Sequence, residues 1–188
     1  REELIDPFCG SGTIAIEAAM ACCHIAPGVR RPFDGEAWQF ADGRWDQERQ
    51  EALAEEKIEK LPISASDLSA EAVELARQNA RRAGVESCVS FRRADALGLP
   101  YTGRRGTLIC NPPYGRRLLD QNQARRIYDG LGRALQGADS LKKYILTADE
   151  DFEECFGAKA DKRRKLYNGM IKCQLYMYFR RPVSREAE

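Results

Sequence analysis

Apolar and polar positions follow two rhythms along this chain. Short apolar runs that stop abruptly at a polar residue predict buried strands, and apolar residues recurring every three or four positions predict amphipathic helices. Leu4-Ile5 leads into Asp6-Pro7-Phe8-Cys9-Gly10-Ser11-Gly12-Thr13, after which Ile14, Ala15, Ala18, Ala19 and Cys22 recur at helical spacing. The prediction there is strand, tight loop, helix. Ile63 to Asp67 predicts a second strand ending in an acid. Ser69 then caps a helix with the stripe Val73, Ala76, Ala80 and Ala83 and a stop at Gly84. Cys88 to Arg93 alternates as a third strand with Asp95-Ala96 at its end, and Thr107-Leu108-Ile109-Cys110 is a fourth, ending at Asn111.

The remainder continues the alternation and then breaks it. Gln123 to Leu135 predicts a helix with Ile127, Leu131 and Leu135 on one face; Tyr144 to Thr147 predicts a fifth strand, and Asp151 to Phe156 a short helix. Arg164 to Tyr167 and Ile171 to Phe179 flank Asn168-Gly169, the strongest short hairpin signal. The expected fold is α/β: a doubly wound, Rossmann-like, mostly parallel seven-stranded sheet with a C-terminal antiparallel hairpin. In such a sheet ligands lie at the carboxyl ends of the strands. The stretch from about 26 to 61 departs from the alternation and reads as an insertion. Pro27 to Gly43 is loop-like with Phe33, Trp38 and Phe40 embedded, and Trp45 to Lys60 is a charged helix. Its aromatics are expected to pack it to the domain.

With 188 residues, 43% hydrophobic and 31% charged, the chain is one ordinary globular domain. The 30 Lys and Arg against 29 Asp and Glu leave a formal charge of +1. Overall charge therefore carries no nucleic-acid footprint, and such binding must come from local patches or a further module. No apolar run approaches the ~20 residues that span a bilayer. The seven cysteines lack framework spacing and read as reduced thiols of a cytoplasmic protein. Cys22-Cys23-His24 is no metal site, because successive helical positions point in different directions and no second ligand pair stands elsewhere.

Two stretches carry the candidate chemistry. Gly10 and Gly12 let the backbone approach a ligand, and the helix that follows offers free N–H groups. Gly10-x-Gly12-x-x-Ala15 also fits a dinucleotide fingerprint, yet no strand-end acid stands ~20 residues on. Asp67, at a strand end before a helix, can accept from both hydroxyls of a ribose, or else help cap that helix. Asn111 precedes Pro112, which restricts its backbone to the extended region and so aims its carboxamide; Pro112 and Pro113 fix φ and remove two backbone donors. With Tyr114 following, a carboxamide oxygen, a free carbonyl and a flat ring can grip an amino group on a planar heterocycle. A plain Pro-Pro turn is the competing reading.

The order Asp6 to Thr13, Asp67, Asp95, then Asn111-Pro112-Pro113-Tyr114-Gly115 resembles the class I S-adenosylmethionine-dependent methyltransferases that modify exocyclic amines. Ile16-Glu17-Ala18-Ala19, Ala26-Pro27-Gly28, Phe33 to Trp38 and Arg164 to Gly169 look more closely like the bacterial large-subunit ribosomal RNA N2-guanine methyltransferases that carry an N-terminal THUMP domain. The resemblance implies a role for each motif position. Asp6, Pro7, Phe8, Cys9, Gly10, Ser11, Gly12 and Thr13 hold the methionine end of S-adenosylmethionine. Asp67 and Leu68 take its ribose, and Asp95 and Ala96 its adenine. Asn111 and the Pro112 carbonyl accept from the target amine beside Pro113, and Tyr114 stacks on the base. Gly115 and Arg116 touch the substrate, with Arg117 and the basic run Lys159 to Lys165 as further RNA candidates. The resemblance also implies an RNA partner, no metal, no membrane, and an upstream RNA-binding domain, so that the chain is a piece of a longer protein. Two other classes stay open on the residues alone. One is a nicotinamide-dependent oxidoreductase built on the glycine loop; the other is a non-catalytic RNA-binding domain. A tRNA guanine-N2 or an adenine-N6 nucleic-acid methyltransferase is the alternative within the resemblance.

Overall fold

A computed structural model describes residues 2–38, 43–114 and 121–179. Its β-strands are β1 Glu3–Asp6, β2 Ile63–Asp67, β3 Val89–Arg93, β4 Gly106–Cys110, β5 Leu141–Thr147, β6 Lys162–Asn168 and β7 Ile171–Tyr178. They form one sheet in the order β3-β2-β1-β4-β5-β7-β6. The first five strands run parallel, and β7 lies antiparallel to both β5 and β6. The strand order reverses between β1 and β4, the place where a doubly wound sheet opens a crevice at its carboxyl edge.

Each strand presents alternate side chains to alternate faces, and the helices cover both. On one face, α1 (Thr13–Cys22) and α3 (Ala70–Arg82) pack Ala15, Ile16, Ala19, Val73, Ala76 and Ala80 onto Ile63, Ala65, Val89 and Phe91. On the other, α4 (Gln121–Ala134) and α5 (Phe152–Phe156) pack Tyr128, Leu131, Phe152 and Phe156 onto Ile5, Leu108, Ile145 and Tyr176. Neighbours within β1 serve different faces: Leu4 packs against the first cluster and Ile5 belongs to the second. Gly12 and Gly132 permit two close helix approaches. A Cβ on Gly12 would stand 3.0 Å from both the Ala76 Cβ and the Ile16 Cδ1, and one on Gly132 would collide with the Phe156 carbonyl. Cys23 and Cys88 bring their sulfurs within 3.6 Å in the first cluster, and all seven cysteines are free.

The segment between α1 and β2 differs from expectation in two respects. Its helix, α2, runs Trp45–Ala54 and stops short of Lys60. The chain is drawn away there because the Lys57 N–H donates to the Cys23 carbonyl at 2.8 Å and Glu56 pairs with Arg30 at 2.6 Å. Its aromatics hold the segment to itself: Phe33 stacks on Trp45, with ring centroids 5.8 Å apart, while Trp38 is exposed. Attachment to the domain comes from the buried Ile25 and Val29 instead, and Arg49 bonds the Val29 and Arg31 carbonyls and Glu36. Phe40 lies outside the described residues. Elsewhere the expected strands are extended by pairing: β5 begins at Leu141 and β6 at Lys162, both earlier than their apolar runs.

Candidate functional site

The glycine loop after β1 is tied to the end of β2. Gly10 and Gly12 take φ of 51° and 88°, the left-handed region that glycine enters at little cost. The Gly10 N–H donates to Asp67 Oδ2 at 3.0 Å, and the Ser69 N–H donates to Asp67 Oδ1 at 3.0 Å. Asp67 thus sets the height of the loop while each oxygen keeps further acceptor capacity. Capping of α3 falls to Ser69, whose Oγ accepts from the Ala72 N–H at 3.1 Å. At the end of β3, Asp95 accepts from the Leu97 N–H at 2.9 Å, and the buried Tyr101 hydroxyl donates to the Ala96 carbonyl at 2.9 Å.

These strand ends meet in a cavity of about 580 Å³. Pro7, Phe8 and Gly10 line it from the first loop, Asp67, Leu68, Asp95 and Ala96 from the second and third strand ends, and Asn111, Pro112, Pro113 and Tyr114 from the fourth. Asp6, Cys9, Ser11, Gly12 and Thr13 do not line it. Ser11 and Thr13 are exposed with their hydroxyls 3.3 Å apart, and Gly12 faces the seam with α3. Gly115, Arg116 and Arg117 lie outside the described residues. Leu97 and Ile127 also line the cavity, and sequence reasoning missed both as site residues. The helical spacing puts Ile127 on the apolar face of α4, yet the wholly buried position is Tyr128, one residue on.

Tyr128 is the residue that supports the fourth strand end. Its hydroxyl lies 2.9 Å from Thr147 Oγ1 and donates to the Pro113 carbonyl at 3.3 Å, while Thr147 Oγ1 accepts from the Asp149 N–H at 3.2 Å. A chain of hydrogen bonds therefore runs from the end of β5, through α4, to the loop after β4. Burial pushes the Tyr128 phenol up to about 12, partly offset by the Thr147 hydroxyl, so it stays a neutral donor. No sequence pattern marked it, because an aromatic at helical spacing reads as core.

Three buried acceptors have no partner among the described residues, Asp6 Oδ2, Glu56 Oε1 and Asn111 Oδ1, and of these Asp6 and Asn111 stand at strand ends beside the cavity. Asp6 is 1% exposed, and its other oxygen accepts from the Phe8 N–H at 3.2 Å. Burial raises its carboxyl to about 7; the Phe8 N–H opposes this and the charge of Asp67 adds to it. Burial, with Asp6 and Asp67 near, likewise pushes the Cys9 thiol up to about 12, so no thiolate is available there. A buried carbonyl-type oxygen without a donor costs roughly 1–3 kcal/mol. Asn111 holds such an oxygen at the wall of a cavity, where a ligand N–H would relieve the cost. Among the described residues no group of His, Cys, Asp and Glu could hold a metal ion, and no helix is long and apolar enough to cross a membrane.

Known proteins resemble this chain in sequence and fold. A family model described as RMKL-like, methyltransferase domain, matches residues 1–177. A putative RNA methyltransferase, YpsC, of Bacillus subtilis is 40% identical over 98% of this chain and 49% of its own length. A ribosomal RNA large subunit methyltransferase K/L of Legionella pneumophila is 39% identical over 92% of this chain and 25% of its own. The crystal structure of SMU.472, a putative methyltransferase complexed with SAH, superposes with a TM-score of 0.89 at 41% identity, covering 97% of this chain and 49% of that one. The chain thus spans about half the length of the Bacillus protein and a quarter of the Legionella protein.

Proposed function

This chain belongs to the RMKL-like methyltransferase domain family, and from that premise we propose that it moves a methyl group from S-adenosylmethionine to an exocyclic amine of an RNA base. The narrowest form of the proposal is guanine N2 of large-subunit ribosomal RNA, in the cytoplasm. Family membership favours methyl transfer over the nicotinamide oxidoreductase and the non-catalytic RNA-binding readings. The observation that carries the proposal is the buried, unpartnered Asn111 Oδ1 beside the cavity that Asp67 and Asp95 also line.

The residues present fit the cofactor. Asp67 retains acceptor capacity for ribose hydroxyls, the Asp95-Ala96 turn offers a polar edge for adenine, and Leu68, Leu97 and Phe8 supply apolar wall. Asp6, buried and off the cavity wall, enters this fit only through the Phe8 N–H, from which it accepts. When bound, S-adenosylmethionine supplies an electrophilic methyl on a sulfonium.

The protein's part is to aim a weak nucleophile. An amine conjugated with a base ring is held by two acceptors, Asn111 Oδ1 and the Pro112 carbonyl; Tyr128 occupies the next carbonyl, that of Pro113. Accepting both N–H groups turns the nitrogen lone pair toward the methyl, and Tyr114 stacks on the ring. Positioning of this kind replaces the need for a strong base or a metal. The proton leaves afterwards, when the alkylated nitrogen is acidic. A base in a duplex must be flipped out or lie in a loop to reach the cavity.

The relatives' greater length supports a further proposal, that an additional RNA-reading domain of the THUMP kind accompanies this one in the full protein. The test of the central proposal is Asn111→Ala. Cofactor affinity by calorimetry should hardly change while methyl transfer to RNA falls on the order of 10²–10³-fold, as for loss of one preorganised contact in a transition state. Transfer at the wild-type rate by a folded, cofactor-bound variant would refute the assignment. Mass spectrometry of the nucleosides then reads which amine carries the methyl.

A further inference from the structure

The β6–β7 hairpin reaches past the rest of the sheet. Thr147, the last residue of β5, is partnered with Gln174 of β7, and Gln174 with Lys165 of β6, so the three lie on one row. Beyond that row β6 continues through Leu166, Tyr167 and Asn168 before Gly169 and Met170 turn the chain back. At ~3.4 Å per residue the overhang is about 10 Å. Thr147 is also the residue that meets Tyr128 behind the Asn111 loop, so the hairpin overhangs the edge where the cavity lies. β6 stands three strands from β4, about 14 Å away in the plane of the sheet. Lys165 and Tyr167 share a face with Thr147, the face covered by α4.

The side chains along β6 and into its overhang are exposed. Every residue from Lys162 to Tyr167 is exposed; Tyr167 is 64% accessible and Met170 wholly so. Arg163 is neutralised by Glu153 and Lys172 pairs with Glu150. Lys162, Arg164 and Lys165 have no ion-pair partner among the described residues. The Lys165 Nζ lies 5.2 Å from the centroid of the Tyr167 ring, so a cation and a flat aromatic face are presented together. Three cations without an ion-pair partner among the described residues thus stand within four positions of one strand. A second copy docking on this strand would oppose like charges. A polyanion carrying flat rings meets both features: phosphates on the cations and a base on the tyrosine.

We propose that β6 and its overhang bind a single-stranded RNA segment flanking the target nucleotide, with Lys165 on a phosphate and Tyr167, on the same face, stacked under one base. The proposal rests on the methyl-transfer reading of the cavity and extends that site along the sheet. It is tested by fluorescence anisotropy with a short fluorescein-labelled single-stranded RNA over a salt series. Lys165→Gln should reduce the slope of log K against log salt by about 0.7, the contribution of one phosphate contact on a single strand. Tyr167→Ala should weaken binding roughly 5- to 150-fold at every salt with the slope unchanged. Both variants should bind S-adenosylhomocysteine as the wild type does, which shows that they are folded. Wild-type RNA affinity and slope in both variants would overturn the hairpin proposal and leave the methyl-transfer reading standing. Hairpin-dependent binding by a wild type that methylates no RNA supports the hairpin and sinks the methyl-transfer reading.

Discussion

Asp6 and Asn111 are both buried oxygen acceptors without donors, yet they differ in what they can become. A carboxamide stays neutral at any pH, whereas Asp6 can take a proton, and in the folded chain it does so near 7 against an ordinary 3.8. Between those values the folded state holds a proton that the unfolded state has released. Stability contributed by the neutral carboxyl is therefore full below about 4 and is lost as pH rises toward about 7. We expect wild-type stability to decline across that window, relative to Asp6→Asn, by up to ~1.4 kcal/mol per pH unit. Thermal and urea unfolding of both proteins from pH 5 to 8 checks this; parallel curves would mean that Asp6 ionises normally. The place of Asn111 at the cavity wall was legible because proline chemistry restricts the residue before it. The raised carboxyl of Asp6 was not, since it follows from how much of the sheet and loop covers that side chain.

At the level of elements, α4 both covers the sheet and supports the loop that ends β4. Only one hydroxyl makes the second role possible, so the two can be separated by Tyr128→Phe. The ring stays and keeps its edge contact with Phe152, at a centroid distance of 5.1 Å, while the bonds to Pro113 and Thr147 go. Expected outcomes are a stability loss of about 1 kcal/mol and a methyl-transfer rate at least several-fold lower at unchanged cofactor affinity. Equal rates would show that the prolines alone hold the loop. Strands were the easiest elements to read, because apolar runs such as Leu108 to Cys110 end at abrupt polar residues. Helix ends fixed by distant backbone were not: α2 stops because residues after it bond to Cys23 and Arg30. The rotation of α4 that buries Tyr128 and turns Ile127 into the cavity also depends on packing, since both residues fit an apolar stripe. The hairpin turn was plain from Asn168-Gly169, but its overhang depends on register with β5, which pairing alone decides.

For the molecule as a whole, doubly wound topology was readable from the alternation of segments, and the convergence of four strand ends on one cavity follows from that topology. What the alternation did not reveal is how the two faces divide the thiols. Cys23 and Cys88 belong to the cluster under α1 and α3, Cys110 to the cluster under α4 and α5, and Cys22 stands exposed. No alkylating reagent reaches Cys23, Cys88 or Cys110 until the structure opens, so each of these thiols is a clock for the opening of its own side. Because β1 supplies Leu4 to one cluster and Ile5 to the other, neither side can detach without disturbing the strand that both use. Mass-resolved pulse alkylation under native conditions should therefore modify Cys22 at once, then Cys88 and Cys110 together at a single slow rate. Two distinct slow rates would mean that the halves breathe separately. In that case the cavity at their junction would be formed only while both are closed, and cofactor would slow the alkylation of both thiols by bridging them.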